Sequence, residues 1–551
     1  MVSGRDGPGA GVAGRCELFF VTDAAIAEIS PLSLRDALPV CSSLAMPNAG
    51  HVNHDGNTQQ PFDALLGYDA IGLSRLIEQG EIRPQQLVDT VLKRIDETNP
   101  LLNFMAHDAR EQVSTRLAGV PLDGVFRGVP FLVKDMIDVS GLRRTDGSRL
   151  LAHAPLASRS VDYIAAIERA GLVTIGSTNA PEFASLSITA NQLYGATRNP
   201  WNLEFSTFTS SGGTAAAVAA GVVPVAHGTD GAGSCRLPAS AVGLLGMKPT
   251  RGIMYSGELD GTHDIAKTHQ VISRTVRDSA AIFNVTEDRR HKTLRDVPLI
   301  RRAMPSLRIG IMNNFSEATA ARSPGSGLAG ASDPFKVDGA LDADVVATLS
   351  ATVAHLEDEK HRVEVFEGGI NQEEFSQAYL AFYAGKLGTL AAQLKGVPNA
   401  HGRDLLTPWV ATFMDFAQSI SAEQIRSAER YLSGLTVVID RWFEKYDVVV
   451  SPVSPIVCPR LDEISPSDTF SLEQFQRMMH LLRFTGPINF GGHPAASIPV
   501  TKKSSSLIPV GVHFVARRGA DRLLYDFAYV MEERVQWGDW WAPHSLMYAT
   551  R

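Results

Sequence analysis

The sequence predicts an α/β protein in which short strands alternate with helices. Runs rich in apolar and β-branched residues, such as VPFLVKD and LVTIGST, alternate with segments of helical pattern, such as SVDYIAAIERAG and GTAAAVAAG. Of the 551 residues, 44% are hydrophobic and 20% are charged, which is the balance of a globular chain with ample material for a core. These observations favour one large domain or two closely packed ones.

Residues 1–60 differ in composition from the rest of the chain. MVSGRDGPGAGVAGRC is rich in glycine, and HVNHDGNTQQP is polar without periodicity. The apolar piece between them lacks the basic start and the cleavage site of a secretory signal. It also resembles translated sequencing-adapter peptides, which leaves open a native start at Met46. We therefore expect residues 1–60 to be a disordered or weakly ordered leader without function, followed by one domain over residues 61–551.

Regular patterns begin at Tyr68. Apolar residues at helical spacing predict two amphipathic helices that are separated at Gly80. Later strand candidates are LRIGIM, DVVVSPV, AASIPV and VGVHFVA. Residues 313–339 have the composition of a surface loop or a mobile lid.

Charge and cysteine usage exclude several classes of protein. A net charge of −8 gives no general attraction for nucleic acid or anionic lipid, and no apolar run reaches the length of a membrane span. The four cysteines are far apart and form no CxxC, which argues against a disulfide framework and a zinc cluster. We expect a cytoplasmic protein with a small neutral substrate and without a metal or cofactor.

A glycine-rich loop, HGTDGAGSCRLPA, carries the first candidate site. It lacks the Lys-Ser/Thr ending of a phosphate-binding loop, and the chain contains no Gly-x-Ser-x-Gly elbow. Ser234 follows Gly231, Ala232 and Gly233, whose N–H groups could converge into an oxyanion hole. An isolated loop of this kind is more often an ordinary turn.

Two upstream segments give this loop chemical partners. TSSGGTAAAVAAG places Ser210 before an alanine-rich helix, and GVPFLVKD ends an apolar strand on Lys134. Burial disfavours the ammonium form of a lysine and lowers its pKa, so Lys134 could act as a neutral base. Alone, it would more often be a strand-end residue that reaches water.

Together these segments resemble the amidase signature family of Ser/cis-Ser/Lys hydrolases. The resemblance spans roughly residues 68–540 and rests on GVPFLVKD, GSTNAPEFA, YGATRNPWN, SSGGTAAAVAAG, HGTDGAGSCRLPASAVGLLGMKPTRG and GPINFGGHPAASIPV. It implies a mixed central β-sheet surrounded by α-helices. Within the family, GATRNPWN and PVAHGTDGAGSCRLPAS are most similar to the hydrolases of 6-aminohexanoate cyclic dimer.

The resemblance also implies roles for individual residues. Ser234 would be the nucleophile, Ser210 the bridging cis-serine and Lys134 the base. The implied oxyanion donors are the N–H groups of Gly231, Ala232, Gly233 and Ser234. The residues expected to fix the loop are Asp230, Arg236 and Ser211, and direct substrate contact is the less favoured alternative for Asp230 and Arg236. The implied reaction is hydrolysis of an uncharged small or oligomeric amide through a serine acyl-enzyme, with carbamates, aryl amides and nylon-type oligomers as further substrates.

The chain departs from the family pattern before Ser210. Phe208 and Thr209 stand where members usually have two glycines, so the expected cis peptide would follow Thr209. Either the loop differs locally, or Phe208 and Thr209 contribute to the substrate pocket. Ala232 replaces another usual glycine, which is tolerable only at a negative φ.

A stripe of aromatic residues is the candidate for substrate selection. EEFSQAYLAFYAGKL places Phe375, Tyr379, Phe382 and Tyr383 on one helical face. Core packing is slightly favoured, and the alternative is a pocket wall in which the hydroxyls of Tyr379 and Tyr383 bind a carbonyl. The cyclic-dimer hydrolases use a cysteine on the corresponding helix to hold the substrate. No cysteine lies in this region of the present chain, which argues against hydrolysis of the cyclic dimer itself.

Two alternative functions stay open at this point. The first is an A-type subunit of a tRNA-dependent amidotransferase, which works in a complex. The second is a non-catalytic binding protein on the same scaffold, which the missing glycines before Ser210 would allow. The expected partners are an amide or carbamate substrate and water, with no nucleic acid and no membrane, and a homodimer is left open.

Overall fold

The computed structural model describes residues 65–255, 265–288, 296–314, 341–394 and 402–549. These residues all belong to one compact unit, Gln60–Arg551. The leader at 1–60 and nearly all of the predicted lid at 313–339 lie outside the described ranges. The division of the chain near residue 60 therefore stays a prediction.

The strands of the described residues include one large sheet and two small hairpins. Their bounds are β1 (Met105–Asp108), β2 (Pro130–Lys134), β3 (Val173–Thr178), β4 (Ala190–Asn191), β5 (Gly195–Ala196), β6 (Arg198–Asn199), β7 (Asn202–Ser206), β8 (Val225–Asp230), β9 (Leu245–Lys248), β10 (Thr268–Ser273), β11 (Arg308–Asn314), β12 (Arg362–Glu367), β13 (Val448–Pro452), β14 (Ala495–Thr501) and β15 (Val510–Ala516). The large sheet has the order β1-β3-β2-β8-β10-β9-β14-β15-β13-β11-β12.

In the described residues, helices pack around this sheet. Their bounds are α1 (Ala70–Glu78), α2 (Pro84–Leu102), α3 (Val113–Gly119), α4 (Asp162–Arg169), α5 (Gly212–Ala219), α6 (Arg236–Val242), α7 (Val276–Thr286), α8 (Ala343–Asp358), α9 (Gln372–Leu394), α10 (Pro408–Ala417), α11 (Ala422–Asp440), α12 (Trp442–Lys445), α13 (Leu472–Leu482), α14 (Gly486–Gly491), α15 (Asp521–Val535) and α16 (Leu546–Ala549).

The large sheet is mixed, as the sequence predicts. β2 runs parallel to β3 and β8, and β11 runs parallel to β12 and β13. The strands between these two parallel groups pair antiparallel, from β8 through β10, β9, β14 and β15 to β13. The α/β fold class with a mixed central sheet is therefore confirmed.

The predicted apolar runs correspond to strands or helices, but nine of the fifteen strands in the described residues were not predicted. VPFLVKD, LVTIGST, LRIGIM, DVVVSPV, AASIPV and VGVHFVA correspond to β2, β3, β11, β13, β14 and β15, and the two helices on either side of Gly80 are α1 and α2. The strands that were not predicted are β1, β4, β5, β6, β7, β8, β9, β10 and β12. β8 ends in His-Gly-Thr-Asp and β10 begins Thr-His-Gln, so neither presents an apolar run although both are fully buried.

The sheet brings the candidate residues to one edge. β2 and β8 are parallel neighbours, so Lys134 and Asp230, at their carboxyl ends, lie at the same edge of the sheet. Helix α5 packs on β2, β3 and β8. Each of its eight residues is buried, because Gly, Ala, Thr and Val side chains are small enough for this close approach. Its N-terminus therefore holds Ser210 against the same edge.

Among the described helices, none combines the length and the hydropathy that a membrane crossing requires.

Candidate active site

Lys134 is fully buried at the end of β2 and contacts two hydroxyl groups. Its Nζ lies 2.7 Å from Ser210 Oγ and 2.8 Å from Thr229 Oγ1. Burial is the main cause that lowers the pKa of Lys134 to about 7. A large share of this amine is therefore neutral at physiological pH and can accept a proton from Ser210.

The loop before α5 is held by a buried threonine. Thr189 Oγ1 donates to the carbonyl of Thr209 at 2.6 Å and accepts the N–H of Gly212 at 3.0 Å. A Cβ on Gly212 would stand 2.2 Å from Thr207 Oγ1, so only glycine fits there. Ser210 therefore lies between Thr209 and Gly212, both of which are hydrogen-bonded to Thr189.

Phe208 adopts a backbone conformation that glycine usually supplies. Its φ is +64°, in the left-handed region, and its side chain is fully buried. This conformation costs about 1 to 2 kcal/mol for a residue with a Cβ, and burial of the ring opposes that cost. The ring is not on the cavity wall formed by the described residues, whereas Thr209 is. The position of Phe208 therefore differs from the sequence-based alternative in which its ring forms part of the substrate pocket wall.

Ser211 ties the loop to the end of β8. Its Oγ donates to the carbonyl of Thr229 at 3.2 Å and accepts the N–H of Thr229 at 3.3 Å. This pair of hydrogen bonds fixes the strand position whose side chain contacts Lys134.

The loop that carries Ser234 contains one N–H group that is already used. The N–H of Gly233 donates to Asp230 Oδ1 at 2.8 Å, so it is not available as an oxyanion donor. Within the described part of the chain, the N–H groups of Gly231, Ala232 and Ser234 have no acceptor. The φ of Gly233 is +124°, and a Cβ there would stand 2.3 Å from Thr485 Oγ1. Ala232 keeps its φ outside the left-handed region, as its methyl group requires.

A buried ion pair lies behind this loop. Arg236 Nε and Nη2 each lie 2.9 Å from an oxygen of the Asp230 carboxylate, and both side chains are fully buried. Asn489 Nδ2 donates to the same carboxylate at 2.9 Å, and its Oδ1 accepts from Arg236 at 2.6 Å. Burial alone would raise the pKa of Asp230, but the Arg236 guanidinium holds it below its usual range. Asp230 therefore stays an anion that can hold the N–H of Gly233.

A cavity of about 240 Å³ opens beside these residues, which is many times the space that one water molecule needs. The predicted site residues on its wall are Thr209, Ser210, Gly231, Ala232, Ser234, Tyr379 and Tyr383. Apolar residues complete much of the wall, among them Leu186, Phe475, Met478 and Leu482. Ser210 and Ser234 thus share one cavity, while Lys134 lies buried behind Ser210.

The aromatic stripe of α9 divides between core and cavity. Phe375 is fully buried, whereas Tyr379, Phe382 and Tyr383 line the cavity. The hydroxyl of Tyr383 donates to the carbonyl of Phe183 at 3.0 Å, so its proton is engaged. One end of the stripe, at Phe375, therefore packs in the core, and the rest of the stripe forms part of the pocket wall.

Thr229 is the contact that sequence reasoning missed. It lines the cavity, its hydroxyl accepts from Lys134, and it immediately precedes Asp230. Its position three residues after the end of an apolar run, in a strand without alternation, gives no signal in the sequence. The pocket wall Phe183–Ser187, which begins within the motif GSTNAPEFA, was likewise not predicted.

Among the residues that the structure describes, no group of three or more His, Cys, Asp or Glu side chains could hold a metal ion. Cys235 and Cys458 are free thiols, and both are buried.

Comparison with known proteins identifies the family. The family model for Amidase matches residues 86–525, which is most of the chain, so the chain belongs to the amidase family. The 6-aminohexanoate-cyclic-dimer hydrolase of Paenarthrobacter ureafaciens is 30% identical over 489 residues, which cover 86% of this chain and 96% of the relative. An acylamidase of Rhodococcus erythropolis is 28% identical over 490 residues, which cover 87% of this chain and 98% of the relative.

Solved structures agree with this assignment. A structure of 6-aminohexanoate cyclic dimer hydrolase matches with a TM-score of 0.75 at 28% identity, covering 87% of this chain and 99% of that chain. The protein is thus an enzyme, an amidase that acts with water on carbon–nitrogen bonds of small-molecule amides.

Proposed function

We propose that this amidase cleaves its substrate through an acyl-enzyme on Ser234, with Lys134 as the base and Ser210 as the proton relay. The observation that carries this proposal is the 2.7 Å contact between Lys134 Nζ and Ser210 Oγ, next to a cavity that Ser210 shares with Ser234. A serine hydroxyl is a weak nucleophile until a base takes its proton. A lysine with a pKa of about 7 is matched to that task at neutral pH.

The first half of the reaction forms the acyl-enzyme. Ser234 Oγ attacks the amide carbonyl while its proton passes to Ser210, whose own proton passes to Lys134. The carbonyl oxygen becomes an oxyanion, and we assign its stabilisation to the N–H groups of Gly231, Ala232 and Ser234, which have no acceptor among the described residues. Because Gly233 donates to Asp230 instead, it serves the loop rather than the oxyanion.

The second half releases both products. The protonated relay donates to the nitrogen as the C–N bond breaks, so the amine leaves in neutral form. Water then attacks the acyl-enzyme, with Lys134 again accepting a proton through Ser210. The acid departs, and Ser234 regains its hydroxyl hydrogen.

The substrates that this site favours are uncharged amides with an aliphatic or aromatic acyl group. Aromatic and apolar side chains make up much of the cavity wall, including Tyr379, Phe382, Phe475 and Met478. The relative named 6-aminohexanoate-cyclic-dimer hydrolase supports an aliphatic amide as the substrate, and the relative named acylamidase supports an acyl amide. Carbamates, aryl amides and nylon-type oligomers present the same carbonyl to Ser234, and we include them in the proposed range.

Turnover by the purified chain alone tests this function. We expect hydrolysis of a simple p-nitroanilide and of an aryl carbamate without any partner subunit, and loss of both activities in Ser234→Ala. Activity that appears only when other subunits are added would favour an amidotransferase subunit. Binding of an anilide without turnover, at any pH between 6 and 9, would favour a non-catalytic binding protein.

A further inference from the structure

Two cavities border neighbouring faces of helix α13. The main cavity, of about 240 Å³, has Ser234 on its wall. The outer cavity has a volume of about 30 Å³, which is the space of about one or two water molecules. Its polar lining residues are partly exposed, so this side of the outer cavity borders the surface; they are Glu463, Ser465, Asp468, Gln474 and Arg477.

Leu186 and Met478 line both cavities, and both side chains are buried. The other lining residues of α13 belong to one cavity each, with Gln474, Arg477 and Leu481 on the outer cavity and Phe475, Met479 and Leu482 on the main cavity. Because successive residues of a helix are about 100° apart, Met478 lies at the border between these two faces. The two cavities therefore approach each other to within the thickness of a side chain.

The backbone that carries Leu186 is held by other elements. Phe183 begins this segment in the left-handed region, with a φ of +50°. Tyr383 Oη donates to the carbonyl of Phe183 at 3.0 Å, and Trp409 Nε1 donates to the carbonyl of Ser185 at 3.1 Å. Strained backbone of this kind persists where the surrounding structure enforces it. Leu186 is therefore held in place between the two cavities.

The C-terminal end of α13 is fixed as well. Ser454 Oγ donates to the carbonyl of Leu481 at 3.2 Å. Just beyond the helix, Thr485 Oγ1 donates to the carbonyl of Ala232 at 2.7 Å, which ties this end of α13 to the loop of the proposed nucleophile. The distance from Met478 to that loop is therefore set by the fold.

The main cavity is apolar where it meets these two residues. Phe475 and Leu482 precede and follow Met478 by three and four residues, so they are its neighbours on the helix surface. Burial of one additional CH₂ against such a wall raises kcat/KM about fourfold. A hydrocarbon chain that reaches Leu186 and Met478 gains no further burial, because a longer chain has to displace packed side chains.

We propose that Leu186 and Met478 form a partition that sets the length of the hydrocarbon chain that the enzyme accepts on its substrate. This inference rests on the proposed function, because it takes the main cavity as the place where the amide is cleaved. The chain is unbranched and uncharged, and it belongs to the acyl group or to the leaving amine. A smaller side chain at either position joins the two cavities and admits a longer chain.

Two series of unbranched amides test the partition. Alkanoic acid p-nitroanilides vary the acyl chain, and N-alkylacetamides vary the amine chain, with the released amine measured by fluorescamine. In one series we expect the wild-type kcat/KM to rise about fourfold per CH₂ up to an optimum length and to fall beyond it. Met478→Ala removes Cγ, Sδ and Cε, so the optimum should move to chains that are longer by about two to four carbon atoms.

Met531→Ala is the matched control. Met531 is a buried methionine inside α15, and it lines neither cavity. The same substitution there removes the same atoms from the core, but the optimum chain length should stay that of the wild type. Circular-dichroism melts verify the folding of both variants. If Met478→Ala does not fold, Met478→Val takes its place, with an expected move of about one carbon atom.

The outcomes separate the partition from the reaction. A move of the optimum in Met478→Ala supports the partition, and the series in which it occurs identifies the chain that reaches Met478. Hydrolysis with an unmoved optimum in both series, or with an equal move in Met531→Ala, overturns the partition and leaves the acyl-enzyme intact. If no amide is hydrolysed, the acyl-enzyme fails, and calorimetric binding of the same amides tests the partition alone. The length of the tightest-binding amide should then be greater in Met478→Ala than in the wild type, and equal lengths would overturn the partition as well.

Discussion

Two buried lysines show what separates a candidate base from a lysine with a structural role. Lys134 and Lys248 are both fully buried at the ends of sheet strands, and burial is the main cause that lowers the pKa of each to about 7. Lys134 Nζ contacts the hydroxyls of Ser210 and Thr229. Lys248 Nζ instead donates to the carbonyl of Pro249 at 2.9 Å.

The difference lies in what each nitrogen can exchange. A hydroxyl can give a proton to a neutral amine, whereas a carbonyl can only accept a hydrogen bond from it. Ser210 and Thr229 also line the cavity, while Pro249 and Lys248 do not in the described part of the chain. A lowered pKa is therefore not sufficient to identify a base; the lysine also needs a proton donor in contact and a path to the substrate.

The largest effect should come from exchanging each lysine for methionine. Lys134→Met removes the proposed base, and we expect kcat/KM to fall about 10²- to 10⁴-fold, the usual contribution of general base catalysis. Lys248→Met, the matched variant, should keep most of the activity, because its nitrogen contacts no reacting group. The measurement is hydrolysis of a p-nitroanilide at pH 8, with circular dichroism of both variants to verify folding. Equal losses of kcat/KM in the two variants would contradict the different roles assigned to Lys134 and Lys248.

The next effect concerns the ion pair that acts on both lysines. The charges of Asp230 and Arg236 influence the pKa of Lys248, and that of Asp230 influences the pKa of Lys134. Arg236→Met leaves the Asp230 carboxylate buried without its cation, which should lower the free energy of unfolding by about 3 to 5 kcal/mol. Denaturant titration measures this change.

An exposed ion pair supplies the control for that measurement. Arg518 pairs with Asp440 at 2.8 Å, and both side chains are more than two-fifths exposed. Arg518→Met should therefore change the free energy of unfolding by no more than about 1 kcal/mol. Similar decreases in the free energy of unfolding in the two variants would show that the buried Asp230–Arg236 pair stabilises the fold no more than an exposed ion pair does.

The sequence could predict the strands and residues that carry strong local signals. Apolar, β-branched runs predicted β2, β3 and β13, and the Ser-Ser-Gly-Gly and Gly-Ala-Gly-Ser segments singled out Ser210 and Ser234. β8 and β10 were missed because they are buried through polar residues that bond to one another across the sheet. The contact of Thr229 with Lys134 depends on a residue distant in the chain, and the sequence carries no local signal for it. The Gly233 N–H bonds to Asp230 only three residues earlier, a local turn contact that the sequence analysis did not consider.

Thr229 offers a smaller effect that tests how Lys134 is held. Thr229→Val keeps the shape of the side chain but removes the hydroxyl that accepts from Lys134 Nζ. Losing one hydrogen bond of this kind should lower kcat about tenfold at most, because Lys134 can then turn away from Ser210. Thr229→Ser, which keeps the hydroxyl, should restore the rate. Failure of this rescue would show that Thr229 contributes through packing alone.

The smallest effect is a shift of the pH profile. Lys134 accepts a proton only as the neutral amine, so kcat/KM should fall as the pH drops below about 7. Burial is the largest cause of the lowered pKa, and the charge of Lys267 acts in the same direction. Lys267→Met should therefore raise the pKa of Lys134 and move the acid side of the profile up by about half a pH unit.

Lys386 is the matched control for this shift. It lines the same cavity as Lys267 but is not among the main charges that act on Lys134. Lys386→Met should leave the midpoint of the acid side unchanged, even if KM changes. A shift of equal size in both variants, or a shift to lower pH in Lys267→Met, would contradict the electrostatic role of Lys267.

Covalent labelling of Ser234 tests the central claim most directly. The protein is treated with phenylmethylsulfonyl fluoride at pH 8, and intact mass is followed over time for the wild type, Ser234→Ala, Lys134→Met and Lys248→Met. We predict one adduct in the wild type and in Lys248→Met, and none in Ser234→Ala or, on the same time scale, in Lys134→Met. Labelling of Ser234→Ala at the wild-type rate, or equal labelling of the two lysine variants, would contradict a Ser234 nucleophile activated by Lys134.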